Sequence, residues 1–424
     1  MSRRIQVCIG EAKEPVGTLL YETSGNRESC SFAYHPQWLA SSKRFALSPD
    51  LPLQAGMIFH PKTRDGSTFF DCIADTEPDG WGKRVILRDH AKRRKQSLQQ
   101  GMTSNTPPLN TLDYLLAVDD ISRIGALRLL DESSIPQRSH SDAERATPPL
   151  IDLGKIYRAS LAVEQEKETA ADLAYLRGKG TSLGGMRPKC TVIDHDGSLC
   201  LGKFPSISDD RAVTKGEILA LALAKVAGIN AAKGRIEIVE GTPIALIRRF
   251  DREAGGRILY VSARTMLSAK PDEEHSYTEI VDVIRKVSPH AQQDMAELWR
   301  RMVFNILITN VDDHLNNHGF LQRGHGQWVL SPAFDLNPFP DKQRELKTWI
   351  SEDSGPSGSI QDCLAIARYF GLDKVKATHI LKEVSTTVKN WRNMASKLGI
   401  SKAEAEPFAP AFEHNALEQA LSTP

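Results

Sequence analysis

Apolar residues recur along this chain with two different periods, and the changes from one to the other outline its architecture. Near the N-terminus IQVCIG and GTLLYE are short apolar runs that predict strands. A turn-rich region follows, and GWGKRVILRDHAKRRK then reads as a helix, so residues 1–130 predict an α+β unit. MTSNTPPLN and DESSIPQRSHSDAERATPPL carry the proline, serine and charge of exposed loops, and the second places a boundary at 131–150. A helical region around Leu161 to Leu176 comes next. CTVIDHDGSLCLGKF predicts a hairpin turning at Asp196-Gly197, and GEILALALAKVAGI predicts a helix ending near Gly228. RIEIVEG and TPIALIRRFDRE read as two strands joined at Gly241-Thr242. Beyond residue 250 the helical period dominates: HAQQDMAELWRRMVFNILITN sets Leu298, Met302, Ile306 and Leu307 on a core-facing stripe, and stretches in 360–398 repeat the pattern. The tail after 401 reads as peripheral, and there is no internal repeat.

Two acidic sites in the C-terminal third carry the chemistry. In NVDDHLNNHGF, Asp312 and Asn317 have the Asp-x-x-x-x-Asn spacing of a kinase catalytic loop, where the Asp accepts a hydroxyl proton and the Asn binds Mg²⁺. Asp335, in LSPAFDLNP, follows 18 residues after Asn317 and is placed as a second metal ligand. Between them GFLQRGHGQWVL predicts two short strands around Gly324 and Gly326, which would carry the chain from one loop to the other. Asp313 lies one residue closer to Asn317 and competes with Asp312 for the role of base. Taken singly, the spacing is also what turns produce, because Asp and Asn favour them.

The order of features upstream makes a turn-only reading hard to sustain. GTSLGGMRPK, residues 180–189, combines glycines with hydroxyls, and such backbone approaches phosphate closely. Ser182, Gly184 and Gly185 are its nucleotide-binding candidates. No Gly-Lys-Ser/Thr ends it and a hairpin follows, so it predicts a glycine lid and not a Walker A loop. Lys203 ends the second hairpin strand and is the candidate phosphate lysine. Glu217 opens the Ala/Leu helix, in its expected first turn, as the candidate ion-pair partner. At the exit of the last strand, Arg249-Phe250-Asp251-Arg252 is placed as a hinge touching adenine through backbone groups, with Arg248 and Phe250 as nucleotide contacts. Glycine loop, lysine, helix glutamate, base and metal ligands thus stand in kinase order over about 155 residues.

At these residues the chain resembles the HipA family, serine/threonine kinase toxins of bacterial toxin-antitoxin modules. SLGGMRPK, KFPS, RRFDRE, the Asp-x-His-x-x-Asn element at Asp312, His314 and Asn317, and PAFDL carry the resemblance, with VGTLLYE, FALSPDLPL and Pro78-Asp79-Gly80-Trp81-Gly82 in the N-terminal part. It implies a two-lobed kinase-like α+β fold: an extra N-terminal subdomain at 1–130, a small lobe with the glycine loop at 151–250, and a mainly helical lobe at 251–424. It also implies ATP and Mg²⁺ as cofactors, Asp312 as base, Asn317 and Asp335 on Mg²⁺, and Lys203 on the phosphates. His314 belongs to the nucleotide-binding set, with a loop-fixing hydrogen bond as its expected task. Ser182 aligns with a serine that family members autophosphorylate, with Thr181 beside it as a competing site. Asp313 occupies a position often held by glycine, an extra carboxylate near the metal. The resemblance implies a protein substrate, such as an aminoacyl-tRNA synthetase, and a helix-turn-helix antitoxin through which DNA is reached indirectly. The chain departs from eukaryotic kinases in lacking His-Arg-Asp, Asp-Phe-Gly and Ala-Pro-Glu.

Composition narrows the classes. The chain has 424 residues, 40% of them hydrophobic, enough for two or three compact units. Its 54 basic residues balance 53 acidic ones, so no global field draws it to nucleic acid. The run His90-Ala91-Lys92-Arg93-Arg94-Lys95 reads as a solvated helix end. No apolar run is long enough to span a bilayer and the N-terminus lacks a signal-peptide core, so a cytoplasmic location is expected. Six cysteines without Cys-x-x-Cys spacing read as free thiols, although Cys190 and Cys200 flank one hairpin and would face each other in one register. Three other functions compete: a metal-dependent hydrolase using Asp312, Asp313, His314 and His318, a catalytically silent binder of a DNA-binding antitoxin, and a small-molecule kinase.

Overall fold

The structure, a computed structural model, describes residues 2–60, 66–99, 107–136, 152–177, 185–253, 256–271, 273–324, 326–340 and 343–423. The chain forms two compact units, one of residues 1–208 and 238–261, the other of residues 209–237 and 262–424.

The first unit starts with five antiparallel strands, β1 (Ser2–Ile9), β2 (Glu14–Ser24), β3 (Arg27–Tyr34), β4 (Met57–Phe59) and β5 (Leu127–Leu130), in the order β4-β3-β2-β1-β5. Ile5, Val7, Val16, Leu19 and Tyr21 are buried in it, as the short apolar runs predict, and Phe32 of β3 is buried with them. A second sheet holds β6 (Lys189–Ile193), β7 (Leu199–Lys203) and β9 (Thr242–Arg248), with β7 antiparallel to both neighbours. The β6–β7 hairpin turns at Asp196-Gly197 as expected: Gly197 has φ +79°, where a glycine carries no Cβ penalty, and Ser198 N donates to Asp196 Oδ1 at 2.9 Å. Cys190 and Cys200 do not face each other, because the register sets Cys190 against Gly202 and Val192 against Cys200. β8 (Gly234–Val239) leads into β9 through Glu240-Gly241.

Trp81 links the N-terminal signature to this second sheet. It is 1% exposed in a cluster with Leu153, Ile156, Cys190, Val192, Phe204 and Leu246. The helix Gly80–Gln99 that carries it is capped by Asp79, whose Oδ1 accepts from Gly82 N at 2.7 Å.

The second unit is mainly helical. Ala291–Leu307 buries Leu298, Met302, Ile306 and Leu307 along the predicted stripe and packs on Tyr277–Val287 and Lys374–Lys389. The strands Gly319–Gln322 and Trp328–Leu330 form the expected hairpin, Phe320 opposite Leu330, with Gly324 at φ +106°. The tail is not peripheral. Phe408, Ala411 and Phe412 are buried, and Phe412 stacks on Trp391 with ring centroids 4.7 Å apart. Phe408 closes on Gly216, where an added Cβ would lie 2.7 Å from its ring.

Candidate active site

In the first unit, Lys203 sits half-buried at the end of β7, opposite Lys189 on β6 and Ala245 on β9. Like charges at paired positions of neighbouring strands are unfavourable, and Lys189 has its own counter-charge: its Nζ lies 2.8 Å from Asp79 Oδ2, both side chains 3% exposed. Trp81 N also donates to Gly185 O at 3.2 Å, so the Asp79-Gly80-Trp81 turn seats the end of the glycine-rich stretch. Gly185 has φ +97°, which a side chain would strain. Thr181, Ser182 and Gly184 lie outside the described residues. Sequence reasoning named Asp79 only as part of a signature, and the 110-residue separation from Lys189 offered no local signal for the pairing.

Arg248 is exposed and pairs with Asp196 at 3.1 Å, while Phe250 is half-buried beside Tyr260. The flanking side chains of the expected hinge do something else. Asp251 is 2% exposed and accepts from Arg249 Nε, an Arg252 guanidinium nitrogen and Gly125 N, each at 2.7 Å. Burial alone would raise its pKa, but the two arginines outweigh that and hold the carboxyl well below its ordinary range. Arg249 also donates to Ser122 O at 2.8 Å, and Arg252 to Arg123 O at 2.8 Å. This charged cluster ties the end of β9 to the segment before β5.

In the second unit, the helix bearing Glu217 starts at Val213, earlier than its apolar run suggests, so Glu217 lies in the second turn and not the first. It is 3% exposed. Two residues before it, Lys215 Nζ meets Glu404 of the tail at 2.6 Å.

Asp312 is half-buried and Asn317 closes a single 3₁₀ turn, Leu315–Asn317, after it. Asn317 Nδ2 donates to Asp312 O at 3.1 Å, which fixes the carboxamide and leaves its oxygen to act as a metal ligand. His314 is exposed, and its backbone bonds Asp312 O and Asn317 N at 3.0 and 2.8 Å. Asp313 points inward. It is 2% exposed and accepts from Asn305 Nδ2 at 2.8 Å, with Tyr277 Oη and with His318 Nε2 (3.1 Å) on the same carboxylate oxygen, while its carbonyl accepts from Thr348 Oγ1 at 2.6 Å. Burial opposes its ionisation, yet His318 and the Tyr277 hydroxyl keep its pKa lowered. Asp313 is therefore an anchor of the loop, with its side chain turned into the interior.

Asp335 is half-buried in a left-handed turn at φ +54°. Asn337 Nδ2 reaches its carbonyl and its Oδ1, both at 3.2 Å. Asn337 N in turn donates to Asn310 Oδ1 at 3.2 Å, and Phe339 N to Thr309 O at 3.2 Å, so the Asp335 turn is bonded to the stretch that opens the Asp312 loop. Thr309 Oγ1 donates to Ala411 O at 2.9 Å, which is how the tail supports this loop.

The side-chain oxygens of Asn317 and Asp335 are of the kind that could hold Mg²⁺, which uses one or two carboxylates together with substrate phosphates. Among the described residues no group of three or more His, Cys, Asp or Glu converges to form a protein metal cage. No described helix is long and apolar enough to cross a membrane.

The HipA N-terminal domain model matches residues 6–103 and the HipA-like C-terminal domain model residues 181–391. "Putative kinase Y4mE" of Sinorhizobium fredii (strain NBRC 101917 / NGR234) is 24% identical over 335 residues, 74% of this chain and 73% of that protein. "Putative kinase Y4dM" of the same strain is 28% identical over 149 residues, covering 32% of this chain and 36% of that protein. Among solved structures, the HipA, HipB and operator DNA complex of the Shewanella oneidensis MR-1 toxin-antitoxin system matches with a TM-score of 0.64 at 16% identity, over 99% of this chain and 96% of that one. That likeness establishes a shared mixed helix-and-sheet fold.

Proposed function

We propose that this chain, which belongs to the HipA family, is an ATP- and Mg²⁺-dependent protein kinase that phosphorylates serine or threonine. The carrying observation is the Asp312 loop itself. Its inward Asp313 is buried and bonded through Oδ2 to Asn305, Tyr277 and His318, and its Asn317 amide is tied down, which supports the half-buried Asp312 carboxylate as the proton acceptor.

In this reading Asp312 accepts the proton of the acceptor hydroxyl as that oxygen bonds to the γ-phosphorus and the bond to ADP breaks. Lys203 contacts the phosphates and Glu217 holds it, Gly184 and Gly185 bring backbone amides to the nucleotide, and Arg248, Phe250 and His314 contribute contacts to it. Asn317 and Asp335 would hold Mg²⁺, which neutralises charge on the β- and γ-phosphates when bound. Ser182 is the autophosphorylation site. The cellular role is that of a toxin acting in the cytoplasm on a translation-related protein, an aminoacyl-tRNA synthetase among the candidates. Its partner is a helix-turn-helix antitoxin, through which it reaches DNA, and the Shewanella complex with HipB and operator supports that part.

The hydrolase reading loses two of its four ligands, because Asp313 and His318 satisfy each other in the interior. Incubation with γ-labelled ATP separates the readings: the kinase puts acid-stable label on protein hydroxyls only when Mg²⁺ is supplied. Free phosphate released with no labelled protein would favour hydrolysis.

A further inference from the structure

Between the Asp312 loop and the Asp335 turn runs a chain of hydrogen bonds through three asparagines, Asn305, Asn310 and Asn337. Asn310 is 1% exposed and spends both ends of its carboxamide: Nδ2 donates to Asn305 Oδ1 at 3.1 Å, and Oδ1 accepts from Asn337 N at 3.2 Å. Asn305, 2% exposed, passes the chain on by donating to Asp313 Oδ2 at 2.8 Å and to Tyr277 Oη at 3.0 Å. At the other end Asn337 holds the carbonyl and carboxylate of Asp335. The chain therefore ends at Asp335 on one side and at the neighbour of Asp312 on the other.

Resting on the kinase reading, we infer that Asn310 is a positioning residue that locks the base loop and the metal-ligand turn into one frame. Only a carboxamide donates and accepts at once with this reach. An aspartate at 310 keeps the acceptor for Asn337 but turns an oxygen toward Asn305 Oδ1; an alanine strands Asn305 Oδ1 in the interior, where an unmade hydrogen bond is costly, and takes the acceptor from the half-buried Asn337 N. Both loops also hold non-glycine residues in left-handed backbone, Thr309 at φ +53° and Asp335 at φ +54°. Such conformations persist only where their surroundings over-determine them. The Asn310–Asn337 bond is one of the contacts that does so, with Phe339 N on Thr309 O as the second cross-link.

The test compares the full chain with Asn310→Ala and Asn310→Asp by two readouts. Amide hydrogen exchange, which needs no activity, should speed up in Asn310→Ala at both 310–318 and 333–339. In the labelling assay Asn310→Ala should lower kcat about tenfold or more, since small misplacements of reacting groups are that costly. The Mg²⁺ concentration for half-maximal rate should rise severalfold in Asn310→Ala and less in Asn310→Asp, which retains the acceptor for Asn337. Faster exchange confined to 310–318, or an unchanged Mg²⁺ requirement with activity falling only in proportion to folded protein, overturns the coupling. Should Asn310→Ala fail to fold, Asn310→Asp carries the same comparison. A parent chain that incorporates no label refutes the kinase reading, whereas the exchange result still decides the coupling.

Discussion

Lys189 Nζ and Asp79 Oδ2 lie 2.8 Å apart with both side chains 3% exposed, an ion pair that joins the N-terminal signature to the strand opposite Lys203. Removing one partner leaves the other charged in the interior, which costs about 3–5 kcal/mol, while replacing both by apolar residues costs much less. Asp79→Asn should therefore lower the urea midpoint strongly, and the double variant Asp79→Asn/Lys189→Met, which keeps a capping oxygen for Gly82 N, should recover much of the loss. Equal destabilisation by the single and double variants would show that the pairing is not the source.

Lys203 ends a strand and is half-buried, so its substitution should affect nucleotide binding more than folding. Hydrogen bonds to charged groups are worth roughly 1.5–3 kcal/mol, and Lys203→Met should raise the ATP Kd about 10- to 100-fold. Titration with ATP and Mg²⁺ beside a melting curve checks both halves of the statement.

His414 contributes a pH dependence. Burial, reinforced by the Arg344 charge, pushes its pKa down to about 4, while its ring Nε2 lies 3.2 Å from Leu307 O and 3.1 Å from Ala411 O. As pH falls, the unfolded chain binds the proton first. The contribution to stability is thus complete above the ordinary value of about 6.5 and is lost as pH falls through about 4. After allowance for solvent screening, His414→Gln should remove roughly 1–2 kcal/mol of the parent's acid destabilisation between those values. Urea midpoints measured across this range would show parallel curves if His414 were not involved.

Phe412 is fully buried against Trp391. Phe412→Ala should cost about 3–5 kcal/mol, as large-to-small changes of buried phenylalanine do. Because the same short helix offers Ala411 O to Thr309, kcat in the surviving folded fraction should fall as well. A stable variant with parental kcat would return the tail to a peripheral role.

Ser182 should carry the autophosphate. A phosphate there adds about −1.5 to −2 charges to a loop that must close over ATP phosphates, so the modified form should bind nucleotide weakly. Ser182→Ala should keep ATP binding and lose the self-inhibition. Complete phosphorylation with undiminished nucleotide affinity would count against it, and label on Thr181 would move the site.

What was legible in the sequence is what short-range periodicity encodes. β1 and β2 of the first sheet, the strands of the second, the Leu298 stripe and the Gly324 hairpin follow from short apolar runs and local periodicity, and the Asp312, Asn317 and Asp335 loops from spacing, whereas β3, β4 and β5 were not picked out. What escaped depends on residues far apart. The partners of Asp313 are residues 277, 305, 318 and 348, no two of which share a local motif with it. The tail consists of helices as short as Lys402–Ala405 and Ala409–Phe412, too brief for a period to show, and its burial is decided by Gly216, Thr309 and Trp391. The start of the Glu217 helix was misplaced because Val213-Thr214-Lys215 lacks the apolar signature and its N-cap, Ala212, makes no side-chain bond.

The most direct test of the central claim is incubation of the purified chain with γ-labelled ATP and Mg²⁺ beside Asp312→Asn, followed by mapping of the labelled residues. The kinase account predicts label on a serine or threonine of the parent and none on a variant that still binds ATP. Equal labelling of both proteins, or no label together with no nucleotide binding, would contradict it.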